Sequence, residues 1–146
     1  MIQRIQSVFL LLSSICSFGL LSAPFGTTNT AIANSSLFAD AQYTITDSFA
    51  LLGLFIVAAL LTLAAIFMYK NRTSQQLLGR ISIILNLLGI VLVIILFMQD
   101  APTLGSTTPT ESFGLGLPIL SMVFAYLGMR FIQKDQRLVD SMDRLR

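Results

Sequence analysis

A chain of 146 residues with a formal charge of +2 has room for one ordinary domain, yet 55% of its residues are apolar and only 11% are charged. With a mean hydropathy of +0.82 it is too oily for a soluble fold of that size, so lipid must surround much of it. The pI near 9.0 does not point to nucleic acid, because the basic residues sit beside apolar runs and not on a soluble face.

Backbone amides in hydrocarbon must bond internally, which leaves helices or closed barrels as spanning structures. A barrel needs segments of about ten residues that alternate apolar and polar, and the runs from Leu51 to Leu61 and from Ile83 to Phe97 do not alternate. A span takes about 20 mostly apolar residues to cross a hydrocarbon core of about 30 Å. Four windows qualify: residues 5–25, 48–69, 81–98 and 113–132.

The first window imitates a secretory signal, with Arg4 ahead of an apolar core and Ala31-Ile32-Ala33 resembling a cleavage site. Its run is longer than a signal core, and the triplet lies beyond Pro24 and a Thr-rich stretch, so the first span is expected to be retained. Ile15 before Cys16 is too bulky for a lipoprotein signal. The lone cysteine gives no disulfide framework and, without histidine, no metal set. Ser13, Ser14 and Ser17 make a small polar stripe on this span.

Residues 26–47 follow, rich in Thr, Ser and Asn. Residues 42–46 show weak period-two character, so a solvated loop is expected, with a short strand or extended cap over the bundle mouth as the alternative. The second span carries Ala58, Thr62 and Ala65 on one face. A short basic loop, 70–80, makes the second and third spans antiparallel neighbours. The third span holds Ser82, Asn86 and Gly89 at offsets of four and three, one helical face. Stripes of this kind let helices approach closely in lipid. An unpaired Asn86 amide in hydrocarbon costs kilocalories, so it should face the bundle, as an interhelical hydrogen bond in the first reading and as a ligand or gating contact in the second.

Pro102 and Pro109 argue against helix in the next loop, 99–112. Gly114, Gly116 and Pro118 open the fourth span and mark a helix start or mild bend, while Ser121 and Ala125 repeat the small-residue stripe. Beyond Arg130, Leu138, Met142 and Leu145 recur at helical offsets, and Asp140 stands four residues before Arg144. This predicts an amphipathic helix that engages the headgroups or a docking partner.

Charge sets the orientation. Arg4, Lys70, Arg72, Arg80, Arg130, Lys134, Arg137, Arg144 and Arg146 all fall on one side, and the other two loops hold Asp40, Asp47, Asp100 and Glu111 with no Lys or Arg. The positive-inside bias then makes both termini cytoplasmic. The expected fold class is an all-α membrane protein: four transmembrane helices in an antiparallel up-down bundle over 1–132, then a basic amphipathic cytoplasmic tail over 133–146.

The opening Met1-Ile2-Gln3-Arg4-Ile5-Gln6-Ser7-Val8 and the ending from Lys134 through Asp140, Ser141 and Met142 to Arg146 resemble the two ends of a small bacterial membrane-protein family, domain of unknown function 4293, typical of Bacteroidota. The resemblance covers the whole chain. It implies a cytoplasmic (inner) membrane protein with its first span kept, and brings no activity, substrate or site residue.

Catalytic chemistry finds no footing: there is no His, no charge in the spans except Arg130 in the last turn of the fourth, no glycine-rich phosphate loop and no base beside the serines. No enzyme, cofactor or metal is expected. The reading that remains is a structural or accessory subunit held in the bilayer beside a larger membrane-protein partner; the alternative is a channel or transporter for a small neutral solute or lipid. The candidate contacts are Ser82, Asn86 and Gly89 for packing, and Leu138, Met142 and Leu145 for docking of the tail.

Overall fold

The computed structural model describes residues 2–105 and 107–143, with side chains described for 5–105 and 107–138. Four helices carry most of the chain: α1 (Ile2–Gly19), α2 (Phe49–Phe67), α3 (Arg72–Asp100) and α4 (Gly116–Asp143). Helix α1 packs on α2 and α4, and α3 packs on the same two, so the four enclose a common interior. By length and composition three stretches can cross a membrane, Phe49–Phe67, Arg72–Leu104 and Phe113–Leu138, beside a shorter apolar helix, Ile5–Gly19.

The first apolar window is helical only as far as Gly19. A turn follows, in which Leu21 N donates to the Phe18 carbonyl and Ser22 N to that of Gly19. Pro24 keeps the chain from returning to helix, because its ring disfavours the helical conformation at Ala23. Backbone that leaves a helix has to find other partners. It finds them: Phe25 N donates to Tyr43 O at 2.7 Å, Ser112 N donates to Phe25 O at 3.1 Å, and Gly114 N donates to Pro24 O at 3.1 Å. Gly114 has to be glycine for that approach, since a Cβ there would overlap the Pro24 carbonyl.

Helix α2 fills the second window almost end to end. Helix α3 starts nine residues before the apolar run at 81, because the Asn71 side chain caps it by accepting from Ser74 N at 3.2 Å. The connection between α2 and α3 therefore shrinks to residues 68–71. At its far end a 3-10 turn, Ala101–Leu104, contains Pro102. This corrects the expectation that proline excludes helix there; in a first turn proline has no N–H bond to lose. Pro118 enjoys the same exemption as the third residue of α4. That helix runs unbroken past Arg130 to Asp143, so the fourth window and the tail up to that point form one element.

The two acidic loops are not loose. Strands β1 (Gly26–Thr27), β2 (Gln42–Tyr43) and β3 (Thr110–Glu111) form a small antiparallel sheet in the order β2-β1-β3, with Gly26 opposite both Tyr43 and Glu111. Two-residue strands supply few ladder bonds, so apolar side chains hold the sheet. Phe25, Leu37, Phe38, Tyr43, Ile45 and Leu104 are buried with Leu51, Phe55 and Val93 in one cluster. The Tyr43 ring meets Phe25 edge-on at 5.3 Å and Phe38 at 6.0 Å, a favoured geometry for aromatic pairs. Its hydroxyl donates to Val93 O at 3.1 Å, fastening the cap to α3.

Candidate functional site

Part of the bundle interior is polar, while its flanks are apolar. Ser13, Ser17, Ser82, Asn86 and Ser121 are 2% exposed or less, while Ile84, Leu88, Val91 and Ile95 on the flank of α3 are 45–55% exposed. Water would reward the opposite arrangement.

The interior groups form a seam that touches every helix. Ser121 Oγ on α4 donates to Ser13 O on α1 at 3.0 Å, and it lies 2.7 Å from Ser17 Oγ, also on α1. Ser17 Oγ donates to Asn86 Oδ1 on α3 at 3.4 Å, and Asn86 Nδ2 donates to Ser82 O one turn back at 2.9 Å. Ser82 Oγ in turn donates to Ala58 O on α2 at 3.0 Å, and Ser14 Oγ joins α1 to Ala59 O at 3.1 Å. Thr62 returns its hydroxyl to carbonyls of its own helix.

Gly89 completes the stripe that begins at Ser82. A Cβ on it would come within 2.5 Å of the Phe55 ring, so the missing side chain is what lets α2 and α3 close. The structure thus places Ser82, Asn86 and Gly89 together on the buried face of α3. Hydroxyls, one amide and carbonyls can hold helices in register; they include no base able to activate a serine. Among the described residues, no group of three His, Cys, Asp or Glu side chains converges as a metal set would.

The bundle's two ends add residues that sequence reasoning passed over. Asp100 closes α3, beyond the apolar run that stops at Met98. Its carboxylate accepts from the Ser35 hydroxyl, from Ser36 N at 3.3 Å and from Leu37 N at 3.3 Å. The Ser35 oxygen also accepts from Leu37 N and Phe38 N, which shapes the turn that presents these donors. At the other end Gln75 is fully buried with neither amide atom bonded, and buried Gln6 has an unpartnered carbonyl oxygen.

The predicted docking face is only partly in view. Leu138 is 48% exposed and lines a cavity of about 410 Å³ with Arg130, Lys134 and Arg137, whereas the side chain of Met142 and all of Leu145 lie outside the described residues. Arg130 also stacks over Tyr126, 5.6 Å from the ring centre. The tail is tied to α3 by Arg72 and Asp135, 2.7 Å apart without hydrogen-bond alignment, and by Gln76 donating to Gln136 at 3.1 Å.

A family model described as Domain of unknown function (DUF4293) matches residues 2–145. The chain belongs to this family. Neither a curated protein nor a solved structure matches it. Membership spans all four helices and both acidic loops, so the seam, the cap and the basic end are parts of one family domain.

Proposed function

We propose that this family member is a four-pass protein of a bacterial cytoplasmic membrane, its helices antiparallel and both termini cytoplasmic, serving as a structural or accessory subunit of a larger membrane assembly. The observation that carries this reading is the seam: its polar side chains bond across helices inside a bundle whose flanks are apolar. Such bonds are the glue of helices in lipid, worth about 1 kcal/mol each. A permeation path has different needs, namely polar groups left open to a solute and usually an ionisable one. In the seam, Asn86 and the serines are occupied by neighbouring helices. The two cavities described here lie toward the ends, and Asn86 lines neither.

On this reading α1 crosses with the help of the bonded segment 20–25. Its helix from Ile5 to Gly19 reaches only about 22 Å at 1.5 Å per residue. The basic end of α4 projects into the cytoplasm, where Arg130, Lys134 and Arg137 gain from anionic headgroups and the stripe through Leu138 and Met142 docks on a protein partner. Purification in mild detergent through an affinity tag tests the assignment. It predicts a stoichiometric membrane-protein partner, lost with Leu138→Asp and Met142→Asp while the chain stays inserted. Recovery of the chain alone, with neutral-solute flux in proteoliposomes that Asn86→Leu abolishes, would favour the channel reading instead.

A further inference from the structure

At the acidic end a cavity of about 250 Å³ lies between the cap and the flank of α3, walled by Phe25, Phe38, Val93 and Phe97 and edged by exposed Ile94 and Glu111. The wall offers hydrocarbon to its contents. Tyr43 also faces the cavity, but its hydroxyl is already given to Val93 O. The volume falls just short of the range of about 300–1,000 Å³ that houses drug-sized ligands, which suits a length of chain better than a compact molecule. Ile94 continues the apolar flank formed by Val91 and Ile95, so the cavity meets the surface where lipid tails lie.

Charge narrows the occupant further. Asp40 accepts from Gln42 N, Asp47 from Thr44 N and Asp100 from Ser36 N. Among the described residues of these loops, Glu111 alone has a carboxylate that accepts no bond, and neither loop contains Lys or Arg. An uncompensated carboxylate beside a hydrocarbon slot is complementary to an ammonium group next to an acyl chain. We propose that the cavity seats part of one acyl chain of an amine-headed phospholipid of the phosphatidylethanolamine class, with its ammonium against Glu111. The proposal goes beyond the subunit reading and rests only on the chain spanning the bilayer.

The test uses the full chain in nanodiscs containing a trace of phospholipid with a photoreactive acyl chain, carrying either an ethanolamine or a glycerol headgroup. The ethanolamine probe is expected to label residues 93–97 and 25–38 above the open flank around Ile84 and Leu88, and to exceed the glycerol probe there by about fivefold, the worth of one exposed ion pair. Glu111→Gln should erase the headgroup preference while keeping the label. Gly26→Leu, which grows a side chain beside Phe38, should lower labelling by both probes, with a thermal melt reporting its fold; if it does not fold, the Glu111→Gln comparison decides. Cavity labelling no higher than on the open flank, or equal for both headgroups in the native chain, overturns the proposal. Incorporation and protease protection are read on the same discs, so a failure to span is seen separately.

Discussion

At the acidic end of the bundle nearly every buried polar group described has a partner, from the Asp100 carboxylate to the Tyr43 hydroxyl, whereas at the basic end Gln75 and Gln6 keep amide atoms unbonded in a buried setting. The acidic end is built from short irregular segments held by cross-bonds and by a cluster of buried apolar side chains. The basic end is built from continuing helices, whose backbone is satisfied by itself. Order in the first case depends on particular side chains, and in the second on helix propensity and packing, so the two should respond differently to substitution.

The largest effect is expected where the cap meets the bundle. Gly114→Ala sets a methyl group into the Pro24 carbonyl, and backbone cannot rotate aside as a side chain can, so thermal or denaturant unfolding should show a loss of about 3 kcal/mol. Next comes Asp100→Asn, which weakens charge-assisted bonds to three consecutive residues and should cost about 2 kcal/mol.

A paired substitution sharpens the contrast between bonded and unbonded amides. Asn86→Leu should cost about 0.6–2 kcal/mol by breaking the link between α1 and α3, while Gln75→Met, which removes an amide with no partner, should raise stability by about 1 kcal/mol. Equal losses at both sites would mean that Gln75 is bonded through water. The smallest effect belongs to Arg72→Gln: its pair with Asp135 is partly exposed, and such pairs are worth about 0–1 kcal/mol.

Much of the helical frame was legible because lipid leaves few choices. Unbroken apolar runs marked α2 and the cores of α3 and α4, and the offsets of Ser82, Asn86 and Gly89 identified the buried face of α3 from spacing alone. Helix ends were less legible, since they depend on local devices: the Asn71 cap moved the start of α3 back to Arg72, and Pro24 with Gly19 ended α1 early. The cap was hidden for a different reason. Ser35 and Asp100 stand 65 residues apart, and nothing local announces a bond across such a gap. Its apolar residues, Leu37, Phe38, Tyr43 and Ile45, were the available signal, diluted among Thr, Ser and Asn.

The central claim, that four segments cross the bilayer with the acidic loops on one side and the basic residues on the other, depends most on α1, the shortest of the four. Single cysteines placed by Gln3→Cys, Asp40→Cys, Thr108→Cys and Gln136→Cys in a Cys16→Ser chain can be probed with a membrane-impermeant thiol reagent in sealed vesicles of either orientation. The account predicts that positions 40 and 108 label together from the outer face, and that positions 3 and 136 label together only from the cytoplasmic face. Labelling of positions 3 and 40 from the same side would leave α1 outside the membrane and contradict it.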